Sequence, residues 1–262
     1  MTPLPYDRYC DEILAQTGAL RAAVSGADLT AGVPTCPDWN LRDLVVHVGG
    51  AHRWMGEIVR TRAAEEVPDE RVPGFGGPEG EDRDDPAALD AWLADGAAGA
   101  VAALREAGPD TEVWAWGWER RTAFWARRMA HETVVHRADA ALATKSGYEV
   151  APDLAADTID EWLQIVSFAQ AHGDPEAGEL RGAGRSLHLH ATDAPGAEWL
   201  IEFGEDGFTW RRAHAKATVA LRGPLTELML AFNRRQAPDE GGLEVLGDRE
   251  LLDFWLRRSS FG

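Results

Sequence analysis

Two stretches of helical periodicity each carry ionisable side chains inside an otherwise apolar stripe, and this limits what the chain can become. In LRDLVVHVGGAHRWMGEIVRTR, residues 41–62, Leu44, His47, Ala51, Trp54 and Ile58 recur at spacings of three and four. They therefore share one helix face. In RTAFWARRMAHETVVHRADAALATKSG, residues 121–147, Trp125, Met129, Glu132, His136, Ala140 and Ala143 do the same. A buried carboxylate is costly unless it is paired or bound to metal. If both stripes face the interior of one bundle, His47, Glu132 and His136 meet there. Glu132 and His136 stand about one turn apart, close enough to ligate one ion. Two imidazoles, a carboxylate and an open fourth position are what a catalytic zinc site needs.

Other readings of the same histidines fail on geometry. A metalloprotease helix needs its two histidines four apart. His131 and His136 are five apart, as are His47 and His52, a rotation of about 140° around the axis. One ion cannot meet both members of either pair. Asp139, three residues beyond His136, is in reach of that imidazole, although a solvated acid is the plainer reading. His188 and His190 share one strand face in LHLHATD; with no third ligand nearby in sequence they read as surface or packing residues. There is no phosphate-cradling glycine loop, no dinucleotide fingerprint and no Gly-x-Ser-x-Gly elbow. Cys10 and Cys36 have no basic neighbour to activate them and read as inert thiols. The VWAWGW aromatics read as core.

The surrounding punctuation frames four helices and a second domain. A first helix is expected from Tyr6 to about Ser25. The loop AGVPTCPDWN leads to Asn40, a cap with Asp43 at the capping-box position. An acidic, Pro- and Gly-rich loop spans about 65–85, and Asp85-Pro86 opens a third helix to about Ala107. Thr122 is the expected cap of the fourth helix and Gly147 its stop. Four such helices imply an antiparallel bundle, and a fifth, about 151–171, would bridge outward. After His172 the period changes to two in SLHLHATD, EWLIEF, FTWRRA and ATVALRG, with helices at PLTELMLAFNRR and RELLDFWLRR and a short strand at LEVLGD. The expectation is a helical bundle over 1–172 and a small α+β domain over 183–262, an antiparallel sheet with helices on one face.

Charge narrows the partners. With 26 basic and 44 acidic residues among 262, the net charge is −18, which repels nucleic acid and anionic lipid alike. Two cysteines are too few for a disulfide framework and fit a reducing cytoplasm. The start, MTPLPYDRYCDEILAQ, resembles neither signal peptide nor anchor, and no stretch reads as approaching the roughly 20 apolar residues of a membrane helix. A cytoplasmic protein, monomer or homodimer, is expected.

The segments PTCPDWNLRDLVVHVGGAHRW and FWARRMAHETVVHRADA resemble the mycothiol-dependent maleylpyruvate isomerase family, whose N-terminal domain is a DinB-like four-helix bundle. GPLTELMLAFNRR and LEVLGDRELLDFWL are similar to its sterol-carrier-like C-terminal domain. The resemblance implies a divalent metal held by His47, Glu132 and His136, the triad that spacing selects. Zinc is expected, although nickel, manganese or iron suit the same ligands. It further implies mycothiol as cofactor, an electrophilic small molecule as substrate, and a catalytic Arg after the Leu-rich helix, with Arg234 matching best and Arg235 next. The implied chemistry is a metal-activated thiolate used for isomerisation or S-transfer. The alternative is a non-catalytic carrier whose metal site is structural or vestigial.

Overall fold

Capping chemistry starts the second and third helices where the sequence places them. The structure, a computed structural model, describes residues 3–259. Helix α1 covers Tyr6–Val24, α2 Leu41–Thr61, α3 Pro86–Ala107 and α4 Thr122–Thr144. Asn40 accepts a hydrogen bond from the Asp43 amide at 3.0 Å while its own amide donates to the Asp43 carboxylate at 3.1 Å. This is the expected capping box. Asp85 caps α3 through the Ala87 amide, with Pro86 in the first turn. At α4 the ends differ from expectation. Arg121 is the N-cap, Thr122 turns its hydroxyl to the Gly108 carbonyl, and Lys145 ends the helix in a left-handed conformation two residues before Gly147. The AGVPTCPDWN loop is no simple loop, because strand β1, Gly32–Val33, pairs antiparallel with β2, Cys36–Asn40.

The two compact units of the chain are Leu4–Tyr148 and the residues from Glu149 onward. In the first, α1 packs on α3 and α4, and α2 on α3 and α4. Ion pairs from Arg21 to Asp90 and from Arg105 to Asp11, each 2.5 Å, join opposite ends of α1 and α3, so these run antiparallel. Helices α2 and α3 run side by side in the same direction: Gly49 abuts Trp92, and further on Gly96 abuts Arg53. A Cβ at Gly49 would lie 2.1 Å from the Trp92 ring. The acidic loop is what permits this parallel pair, since it carries the chain back along the bundle. Indole N–H groups strap it down, Trp54 to the Val67 carbonyl and Trp92 to that of Gly74. Helix α3 corrects one expectation: it is long and apolar enough, by length and composition, to cross a membrane. Its Leu89, Leu93, Ala97, Val101 and Leu104 are buried as one stripe of the bundle core.

The second unit is built on a five-stranded sheet. Its strands are β3, Ser186–Ala191; β4, Glu198–Phe203; β5, Phe208–Arg212; β6, Val219–Gly223; and β7, Glu244–Gly247, in the order β5-β4-β3-β6-β7. All pairs are antiparallel except β3 with β6. The exception arises because the chain leaves edge strand β5 and crosses the sheet before pairing on the far side of β3. Helices α5, Pro152–Ala171; α6, Leu225–Phe232; and α7, Arg249–Arg258, complete the unit. Trp199 donates from its indole to Asp160 of α5 at 2.8 Å, and Phe203 and Phe208 meet the Trp255 ring of α7 edge-on. Trp199, Ile201 and Phe203 alternate onto one face, so the helices cover that face. By these contacts α5 belongs with the sheet, whereas the sequence boundary at 172 grouped it with the bundle. Asp160, paired with Arg212 of β5 at 2.8 Å as well as with Trp199, is the reason.

Candidate metal centre

Antiparallel packing of α2 on α4 sets His47 opposite Glu132 and His136. Both imidazole Nε2 atoms lie 3.0 Å from the same carboxylate oxygen, Glu132 Oε1. The two rings meet edge-on with centroids 4.7 Å apart. One ligand atom from each residue falls within 4.8 Å of the others. Four-coordinate zinc with bonds of about 2.0–2.1 Å sets neighbouring donors about 3.3 Å apart, so small side-chain adjustments suffice to seat an ion. The donor set, two neutral-capable nitrogens and one anionic oxygen, fits a borderline divalent cation.

The environment orients each donor. Glu132 gives its other oxygen to Arg128, one turn earlier, at 2.9 Å. His136 Nδ1 is 2.8 Å from Asp139 Oδ2, which directs Nε2 toward the cluster. Asp139 is completely buried and also accepts from the Thr35 hydroxyl. The solvated-acid reading of Asp139 is therefore wrong; the β1–β2 hairpin covers it. Cys36 Sγ stands 3.9 Å from the same carboxylate, so this thiol is at the edge of the site rather than in an inert core. The Trp39 ring lies over both imidazoles, with centroids 4.7 Å from His47 and 5.8 Å from His136. The His47 side chain is 37% exposed and that of His136 9%, so the cluster opens toward solvent on the His47 side.

Electrostatics follow from this geometry. Burial pushes the Glu132 carboxyl up, but His136, His47 and Arg128 outweigh it and hold Glu132 well below the ordinary carboxylate range. Burial also opposes charge on His136, yet Glu132 and Asp139 raise it to about 9. The cluster thus has the field that draws a cation, a proton in the simplest case.

The other histidines point away, as the rotation requires. His52 is fully buried, its Nε2 2.9 Å from the Thr133 hydroxyl. His131 is buried edge-on against Tyr9. Trp54, Trp114 and Trp125 pack together with centroids 5.2–6.1 Å apart, but Trp116 and Trp118 are exposed at the surface beside Phe124, so the core reading of the VWAWGW aromatics fails for two of its three indoles. Arg234 follows α6 with φ 63° and is exposed, and its guanidinium pairs with none of the described residues. Arg235 instead donates to the Asn233 carbonyl at 2.8 Å. Sequence reasoning missed Arg128 and Trp39. The i, i+4 spacing of Arg128 to Glu132 was a usable signal, whereas the hairpin that aims Trp39 left none.

Residues 10–141 match the family model described as the mycothiol maleylpyruvate isomerase N-terminal domain, and 153–254 match its C-terminal domain, MDMPI. A search of curated proteins finds no match. Two crystal structures of the mycothiol-dependent maleylpyruvate isomerase are similar, the first of a point mutant. They align with TM-scores of 0.63 and 0.61 at 16% and 17% identity, over 94% of this chain and 95% of theirs. At that identity the likeness is one of fold. With both domain models matched across most of its length, the chain belongs to the mycothiol maleylpyruvate isomerase family.

Proposed function

We propose that the chain is a metal-dependent enzyme that uses a low-molecular-weight thiol, mycothiol, on an electrophilic small molecule, either as an isomerase of the maleylpyruvate type or as an S-transferase. The observation that carries the reading is the meeting of His47, Glu132 and His136 at one point, with His136 Nδ1 tied to a buried acid. A divalent ion held there would lower the pKa of a coordinated thiol, so that a thiolate is available at neutral pH. His47, Glu132 and His136 would supply three ligands, and the exposed side of His47 leaves room for a fourth from solution. Asp139 would keep the proton on His136 Nδ1, leaving the Nε2 lone pair for an ion that displaces the other proton. Arg128 keeps Glu132 ionised and fixes its second oxygen. Trp39 shields the imidazoles from water on one side, which strengthens the local field. Arg234, an exposed guanidinium, is the residue proposed to bind an anionic group of the substrate.

The test pairs metal analysis with two assays. The purified chain should carry about one divalent ion that His47→Ala and His136→Ala lose, and should turn over maleylpyruvate only with the thiol present. Conjugation of a model electrophile without isomerisation would select the S-transferase. Equal metal content in wild type and both variants would overturn the centre. Uptake of apolar ligands, with neither activity and no thiol binding to metal-loaded protein, would select the carrier.

A further inference from the structure

The sheet has a second cluster of potential ligands on the face opposite Trp199, Ile201 and Phe203. His188 and His190 alternate onto that face of β3, and Glu198 of β4 pairs directly across from His190. His214 stands two residues past the end of β5, where the chain begins its crossing toward β6. All three imidazoles converge on one carboxylate oxygen. Glu198 Oε2 lies 3.0 Å from His188 Nε2, 3.0 Å from His190 Nδ1 and 2.6 Å from His214 Nδ1. The ring centroids are 5.6–5.7 Å apart in every pair. The four ligand atoms fall within 4.8 Å of one another.

Hydrogen bonding alone accounts poorly for this arrangement. A carboxylate oxygen offers about two lone-pair directions, and three ring nitrogens crowd this one. His188 Nε2 is the atom left over: it is buried and lacks the alignment of a hydrogen bond to any described residue. A buried nitrogen whose carboxylate neighbour at 3.0 Å is out of hydrogen-bond alignment calls for an explanation, and an unplaced ion is a standard one.

We propose that His188, His190, Glu198 and His214 bind a divalent transition metal ion of the zinc class, separate from the bundle centre. Three imidazoles and one carboxylate make a complete tetrahedral set, the coordination of a structural rather than a catalytic site. The ion would pin residues 213–218, which carry no regular structure, to β3 and β4 where they leave the sheet edge. The side chain of His214 is 76% exposed and that of His188 6%. Removing the first therefore disturbs little packing, and removing the second would endanger the fold.

The experiment is Zn²⁺ titration of the full-length, chelator-stripped chain, with a chromogenic chelator as competitor. The expected result is a zinc equivalent that His214→Ala and His190→Ala weaken at least ~100-fold and that His47→Ala leaves intact. Zn²⁺ should raise the Tm of wild type more than that of His214→Ala, with matching far-UV circular dichroism in the two metal-free proteins. Stoichiometry and affinity unchanged in both His214→Ala and His190→Ala would overturn the proposal. So would loss of every zinc equivalent in His47→Ala, which would assign all binding to the bundle.

Discussion

Asp139 Oδ2 lies 2.8 Å from Nδ1 of His136, one helical turn back along α4, and it does so from a completely buried position. This pair fixes the direction of an otherwise rotatable imidazole. Asp139→Asn keeps the shape but removes the charge that favours the Nδ1–H tautomer. The expected result is metal affinity lower by about 10–100-fold, measured by chelator competition, with unchanged far-UV circular dichroism.

His52 sets an acid limit on stability. The Thr133 hydroxyl donates to the Met129 carbonyl at 2.7 Å, so it accepts from His52 Nε2, and His52 Nδ1 is left buried without a hydrogen bond. Burial drives this histidine down from 6.5 to about 4. The unfolded chain therefore binds a proton below pH 6.5 that the folded chain refuses until near pH 4. The stability contribution is complete above pH 6.5 and lost as pH falls through that window, in total about 3 kcal/mol. His52→Gln, compared with wild type by urea unfolding at pH 7.5 and pH 5, should show a shallower fall. Equal slopes would contradict the assignment.

Arg234 combines a left-handed backbone, φ 63°, with an exposed side chain. Arg62 and Lys145 end α2 and α4 in the same conformation, so at Arg234 it is an ordinary way to leave a helix, one that outside glycine costs about 1–2 kcal/mol. Arg234→Gly should raise stability by about 1 kcal/mol while lowering kcat/KM, and Arg235→Ala should do neither. A stabilised variant with full activity would remove Arg234 from the substrate site.

The close pairing of α2 with α3 depends on Gly49. A Cβ there would meet the Trp92 ring at 2.1 Å, and that ring is held by the Gly74 carbonyl at 2.9 Å and by Arg53 stacked at 4.0 Å. Gly49→Ala should cost about 1–3 kcal/mol through overpacking, read from urea midpoints. A neutral result would mean that the indole swings aside freely.

Much of the helical frame was legible because its signals are local. The Asn40–Asp43 box, the Asp85-Pro86 start and the three-and-four spacing around His47, Glu132 and His136 each act within a turn or two of chain. The candidate centre was legible for the same reason: a stripe that is apolar except for three donors has one economical burial. Where α4 ends was misread, since Lys145 accepts the left-handed position that Gly147 would have filled without strain.

What the chain determined by itself was its periodicities, its caps and the identity of residues able to hold an ion. Tertiary structure alone decided which of them meet. The β1–β2 hairpin buried Asp139, the acidic loop set α2 beside α3 in parallel, Asp160 drew α5 to the sheet, and strand register set Glu198 across from His190, with His214 brought in by the chain leaving β5. Each of these depends on pairing between segments distant in sequence, whose free energy comes from shared burial and cross-strand hydrogen bonds, and no local pattern encodes that.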